Sequence, residues 1–193
     1  MKDLITIGLP SKGRLKEKAI DFFTDKGLKI LQNNKERNYF ASIENHNNIQ
    51  IIFLHAKEII QRLGDGTLDI GISGLDLLKE SEKNLQEKII LKKKLDFGGA
   101  NLVVAVPDDW IDVQTIADLE EVSFDFKENK SVRLRVATKY PNLTNNYLIS
   151  KGVTQYKLIP SLGATETYPF IGSSEIITDI TSTGKTLSDN NLR

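Results

Sequence analysis

The chain has 193 residues, 39% apolar and 27% charged, with Lys+Arg and Asp+Glu balanced at 26 each. That composition is an ordinary globular one with no overall charge that would call for nucleic acid or an anionic membrane, so any anion site must be local. Zero cysteines exclude disulfides, thiolate metal sites and a cysteine nucleophile, and two histidines are too few for a histidine-rich metal centre. The N-terminus shows no signal-peptide pattern and no apolar run is long enough to span a bilayer, which makes the cytoplasm the expected compartment.

Leu4 to Leu9 reads as a first strand. Leu15, Ala19, Phe22 and Phe23 then share one helical face, and Gly27 stops that helix. Ile49 to Leu54 is continuously apolar, as a strand covered on both faces would be, and Lys57 to Leu63 follows as a helix. Leu68 to Ser73 is a further buried strand, with Leu75 to Lys79 opening a helix. Gly98-Gly99 is a flexible point at which the chain leaves this first lobe.

A second set follows: strand 102–106, helix 113–119, strand 134–137, helix 143–150 and strand 156–159. The segment 120–131 reads as a charged loop or frayed helix. Alternation of this kind predicts α/β architecture, with two mixed or parallel sheets, two chain crossings and a cleft between lobes. Residues 1–96 and 166–193 are assigned to lobe I and 97–165 to lobe II.

The most informative segment is Glu166 to Leu187. Ile176, Ile177 and Ile180 form a β-branched run that carries Asp179, and Thr181-Ser182-Thr183-Gly184-Lys185-Thr186 supplies hydroxyls, a glycine and free N–H groups before Leu187. Backbone donors at a helix start cradle a phosphate, and an adjacent carboxylate accepts from sugar hydroxyls, which suits a ribose 5-phosphate. Gly184-Lys185-Thr186 is not the end of a nucleotide-triphosphate loop, because Asp179 stands where the first glycine of that motif is required. A plain turn with a helix cap is the competing reading of this segment.

Pro10-Ser11-Lys12-Gly13-Arg14 places two cations at another strand end, as a diphosphate clamp or a solvated basic turn. Asp69 to Asp76 is a third small-residue loop, with Asp76 either a first-turn carboxylate or, with Gly74, a nucleotide contact. Lys139 and Tyr140 end a second-lobe strand. No Ser-His-Asp set or metal array is evident from spacing. What remains suits chemistry driven by positioning and charge neutralisation, such as transfer from a diphosphate-activated sugar.

On these residues the chain resembles the ATP phosphoribosyltransferase family in its short form. The family signature requires Glu, Gly, a small residue, Ile/Val, Asp, an aliphatic, Ser/Thr-Gly and Thr-Leu at fixed intervals. Glu166, Gly172, Ser174, Ile177, Asp179, Ile180, Thr183, Gly184, Thr186 and Leu187 fill every place. LPSKGRL from Leu9, DIGISGLDLL from Asp69, FGGANLVVAVP from Phe97 and LRVATKYPNLT from Leu134 are similar to the family's other blocks, in order.

The resemblance implies a two-lobe fold like that of type II periplasmic binding proteins. It also implies phosphoribosyl transfer from 5-phosphoribosyl 1-pyrophosphate to N1 of ATP, the first step of histidine biosynthesis, with Mg²⁺ carried on the substrate and no metal site of protein side chains. It assigns Lys12, Arg14 and Asp179 to catalysis; Glu175, Asp179, Thr181, Ser182, Thr183, Gly184, Lys185 and Thr186 to the sugar diphosphate; and Ser11, Lys12, Arg14, Arg37, Gly74 and Asp76 to ATP. The family's arginine near the third strand block is replaced by His55-Ala56-Lys57, which leaves Arg37 or Lys57 to supply that cation. Implied partners are a histidyl-tRNA-synthetase-like regulatory subunit and a second copy of the chain, as a homodimer within a hetero-oligomer. Short-form members run on for another strand and helix beyond the position of Arg193. From a different class, a non-catalytic two-lobe sensor or degenerate paralogue of the same architecture is the alternative.

Overall fold

The computed structural model describes residues 4–32 and 39–193, and the chain divides into two compact units, 1–98 and 99–193. The first holds strands β1 (Ile5–Pro10), β2 (Ile30–Gln32), β3 (Phe40–Ile43), β4 (His46–Leu54) and β5 (Ile70–Gly71), in the order β2-β3-β4-β1-β5. Its helices are α1 (Gly13–Thr24), α2 (Ala56–Gly64), α3 (Leu75–Glu80) and α4 (Lys83–Lys88). β1 runs parallel to β4 and β5, while β2, β3 and β4 are joined antiparallel.

The burial pattern follows from that pairing. β1 is buried at five successive positions because helices cover both of its faces, whereas β3 alternates exposed and buried. Ile7, Leu9, Ala41, Ile43, Ile51 and Phe53 pack with Ala19 and Phe23 of α1. On the other face α2 comes very close. A Cβ at Gly8 would lie 2.4 Å from Leu68 and one at Gly71 would lie 2.6 Å from Ile59, so glycine at both positions lets the α2 layer settle onto the strands. β5 is shorter than the expected strand 68–73, because beyond Gly71 the chain turns to cap α3 and only the Ile72 amide still bonds across, to Gly8.

The second unit holds β6 (Asn101–Ala105), β7 (Leu134–Thr138), β8 (Tyr156–Pro160) and β9 (Ile176–Thr181), in the order β6-β9-β7-β8. Its helices are α5 (Ile116–Lys130), α6 (Pro141–Ser150) and α7 (Lys185–Ser188), with a 3₁₀ turn at Thr165–Thr167. β7, β8 and β9 are mutually parallel, and β6 is antiparallel to β9. Leu134, Val136, Ile176, Leu119 and Leu148 form a fully buried core, and Ile177 with Ala105, Ala137, Leu187 and Leu192 a second one.

Three expectations are corrected. Residues 120–130 are neither loop nor frayed end: α5 runs to Lys130, started by a capping box between Thr115 and Asp118, with Ser123 buried on its inner face. Residues 166–193 do not return to the first lobe. Ile176, Ile177 and Thr178 are completely buried, and β9 satisfies them by lying between β6 and β7 as an interior strand of the second sheet. The boundary between units is therefore a single one at Gly98/Gly99, in place of two crossings. Among the described residues no helix is long and apolar enough to cross a membrane.

Candidate active site

In the second unit the parallel strands all end at one rim of the sheet, where crossover connections leave irregular backbone free to meet a ligand. Register places Thr138 of β7 beside Thr178 of β9 and Pro160 of β8, so Asp179, Lys139 and Ser161 follow in one row across three strands. Asp179 Oδ2 lies 3.6 Å from Lys139 Nζ, and Oδ1 accepts from the Ile180 amide at 2.7 Å. Lys139 is fixed from below. The Tyr140 amide donates to Thr138 Oγ1, which bonds Thr144 Oγ1 at 3.0 Å, and Thr144 Oγ1 bonds Thr178 Oγ1 at 2.6 Å. Three buried hydroxyls thus satisfy one another and tie β7, α6 and β9 together under the Asp179–Lys139 pair.

Immediately after Asp179 the chain forms a tight hydrogen-bonded turn. Thr181 Oγ1 accepts from the Gly184 amide at 2.8 Å, and Thr183 Oγ1 from the Lys185 amide at 3.4 Å, which folds 181–185 into a tight turn. Gly184 sits at φ 72°, with open space where a Cβ would be, so glycine relieves backbone strain there. Ser182, Thr183, Lys185 and Thr186 are exposed, while Leu187 is buried and anchors the turn to the core. Among the described residues, the Ser182 and Thr183 amides have no acceptor within the chain. Donors that face solvent from a fixed turn suit an anion.

The structure removes one residue from this set. Glu175 precedes β9, at the opposite end of the strand from Thr181, roughly 17–20 Å away at 3.3 Å per residue. Its carboxylate accepts from the Arg135 backbone amide at 2.7 Å and from Arg135 Nε and Nη2, while Arg135 Nη1 donates to the Gly172 carbonyl. These bonds with Glu175 raise the Arg135 pKa above its usual value against the opposing effect of burial. Glu175 is a clamp between β7 and β9 and is corrected from substrate ligand to structural partner.

The first unit has its own rim, at the C-terminal ends of β1, β4 and β5. Ser11 leaves β1 with its amide still bonded to the Leu54 carbonyl, Lys12 occupies the N-cap of α1, and Arg14 lies in its first turn. That helix start carries no acidic residue and its cap makes no side-chain hydrogen bond. Among the described residues neither Lys12 nor Arg14 forms an ion pair. Two cations at the positive end of a helix are mutually unfavourable until an anion arrives.

Gly74 caps α3, and a Cβ there would meet Asp76 Oδ1 at 2.2 Å, so the glycine lets the Asp76 carboxylate fold back over the cap. Ser73 Oγ donates to the Ala56 carbonyl at 2.7 Å and fastens this loop to the start of α2, whose N-cap His55 accepts from the Lys57 amide. Ser11, Lys12, Arg14, Gly74 and Asp76 therefore share one rim. Arg37 lies outside the described residues. Sequence reasoning passed over the Thr138–Thr144–Thr178 chain and the Arg135–Glu175 clamp. A threonine just before Asp179 in a run that must be buried was the available signal for the first.

Comparison with known proteins matches residues 55–193 to the ATP phosphoribosyltransferase (HisG) family. An ATP phosphoribosyltransferase of Brucella melitensis biotype 2 is 45% identical over 190 residues, 98% of this chain and 82% of that protein. One from Rhodopseudomonas palustris is 46% identical over 187 residues, 97% of this chain and 58% of that protein. Among solved structures, the ATP phosphoribosyl transferase (HisG:HisZ) complex from Thermotoga maritima aligns with a TM-score of 0.67 at 27% identity, over 98% of this chain and 80% of the other. The arginine-bound form of truncated ArgBP from T. maritima aligns at 0.53 with 13% identity, over 99% and 81%, a likeness of fold alone that agrees with the expected two-sheet, binding-protein-like class. With the signature loop in place at the end of β9, these likenesses settle the family: the chain belongs to the ATP phosphoribosyltransferases, transferases of histidine biosynthesis.

Proposed function

We propose that the chain transfers the 5-phosphoribosyl group of 5-phosphoribosyl 1-pyrophosphate to N1 of ATP, giving N1-(5-phosphoribosyl)-ATP and pyrophosphate. The observation that carries the reading is the rim of the second sheet, where Asp179, paired with Lys139, leads directly into the 181–186 turn. The free amides of Ser182 and Thr183 and the hydroxyls of Thr181, Ser182, Thr183 and Thr186 hold the 5-phosphate in a turn shaped by Gly184 and Lys185, and Asp179 accepts from the ribose hydroxyls. Lys12 and Arg14 take the diphosphate or the ATP phosphates, with Ser11, Gly74 and Asp76 on the ATP side.

In the reaction the bond from the anomeric carbon to the diphosphate oxygen breaks as the bond to adenine N1 forms. The attacking nitrogen uses its own lone pair, so no proton has to leave first. Positive charge develops on the sugar ring, where the Asp179 carboxylate opposes it, and negative charge develops on the leaving diphosphate, where Lys12 and Arg14 oppose it. Mg²⁺ belongs to the diphosphate substrate.

The relative from T. maritima is a HisG:HisZ complex. By extension this chain works as a homodimer within a hetero-oligomer, together with a histidyl-tRNA-synthetase-like regulatory subunit. The experiment is an absorbance assay for phosphoribosyl-ATP from ATP, 5-phosphoribosyl 1-pyrophosphate and Mg²⁺, with pyrophosphatase present and the regulatory subunit added or withheld. Product formation is expected. Binding of either substrate without turnover in both arms would return the chain to the non-catalytic reading.

A further inference from the structure

The turn that leaves β8 carries a side chain that packing does not explain. Leu162 is completely exposed, more so than any other large apolar residue of the described chain. Yet its turn is firmly held. The Ser161 amide donates to the Thr138 carbonyl at 2.9 Å, and buried Ser161 Oγ bonds Thr165 Oγ1 at 2.9 Å and the Gly163 carbonyl at 3.2 Å. Beyond the tip, Ala164 takes a left-handed conformation at φ 46°, ψ 44°, a strained state for a residue with a Cβ, although a glycine stands next to it. The Ala164 carbonyl accepts from both the amide and the hydroxyl of Thr167. The turn is thus fixed by polar bonds beneath it while it presents a leucine to solvent.

Its position is equally specific. Asp179, Lys139 and Ser161 lie in one row across neighbouring strands, so Ser161 stands about 10 Å from Asp179 at two strand spacings and Leu162 follows it at the rim of the proposed sugar site. A rigid apolar group at that distance is of no use to a phosphate or a sugar hydroxyl. Of the groups the two substrates bring, the purine ring is the large flat apolar one.

We infer that Leu162 is a specificity-determining residue that packs against the purine of the acceptor nucleotide and holds the ring for attack on the anomeric carbon. The inference rests on the reaction proposed above and adds a residue to it. The test compares Leu162→Ala and Leu162→Met with the wild type in the assembled enzyme, by steady-state kinetics and by calorimetric titration of ATP and of the sugar diphosphate separately. In Leu162→Ala the KM and Kd for ATP are expected to rise about tenfold, the loss that follows removal of one apolar contact surface. Values for the sugar diphosphate and the thermal midpoint stay unchanged, and Leu162→Met restores ATP affinity. Unchanged ATP parameters in an active enzyme overturn the inference, as does a parallel weakening of both substrates with a lower midpoint, which would make the turn merely structural. A wild type that binds ATP without forming product defeats the reaction instead, and the titration still decides the role of Leu162.

Discussion

The two rims handle charge in opposite ways. At the rim of the second unit, Asp179 already has Lys139 beside it at 3.6 Å, and the 181–186 turn offers neutral amides and hydroxyls. At the rim of the first unit, Lys12 and Arg14 crowd the positive end of α1, and among the described residues no carboxylate answers them. One rim has its charge answered within the fold and the other is left electrostatically incomplete. The difference teaches that an anion site can be built either from preset dipoles or from uncompensated charge, and that only the second carries a stability cost while empty.

The sharpest way to break this comparison is Asp179→Ala. It removes the acceptor proposed for the ribose hydroxyls and leaves Lys139 without its partner, and kcat/KM is expected to fall on the order of 10²–10³-fold with the fold intact by circular dichroism. Replacing Lys12 and Arg14 separately by alanine should lower kcat/KM by about 10–100-fold each, the scale of a lost charge-assisted hydrogen bond. If the first rim is held in an unfavourable state, both variants also melt slightly higher than the wild type. A lower midpoint in both would show that these cations stabilise the empty fold, and the contrast would collapse.

Arg135→Ala probes the far end of the second sheet. It should cost about 1–2 kcal/mol in urea unfolding, because the pair with Glu175 is partly solvent-screened, and leave kcat within a factor of two. A large kcat loss at unchanged stability would restore Glu175 to the substrate site. The smallest effect concerns acid. The amides of Gln114 and Thr115 and the Thr115 hydroxyl donate to Asp118 and hold its carboxyl below the usual value. Its contribution to stability is therefore present above the ordinary carboxylate value of about 3.9 and is lost as pH falls through the lower folded value. Thermal midpoints measured between about pH 5 and 2 should decline less steeply in Asp118→Asn than in the wild type.

The 181–186 turn was more legible in the sequence than the sheet that carries it. Thr181 to Thr186 announced itself because hydroxyls, a glycine and a following apolar anchor are local requirements of a turn, written in consecutive residues. Strand order is not local. Ile176 to Ile180 reads as a buried strand wherever it is placed, and nothing in its own residues says that β6 and β7 flank it. Glu175 was misassigned for the same reason: it sits close to Asp179 in sequence, but a strand carries the two to opposite ends. β2 and β3 were passed over because three or four residues give too short a period to detect.

The placement of β9 also bears on how the molecule is made. β6 pairs with β9 from Asn101↔Thr181 to Ala105↔Ile177, so the second sheet joins residues 72 to 80 positions apart, whereas β1 and β4 pair at a separation of 44. On a ribosome the five described strands of the first unit are all made once β5 emerges, but β6 and β7 must wait side by side with a vacant lane until β9 is synthesised. During that interval two strand edges stand open to pairing with another chain, the period of greatest aggregation hazard. Because the strand that ends the wait runs straight into the 181–186 turn, the rim proposed for the sugar phosphate takes shape only when the second sheet closes.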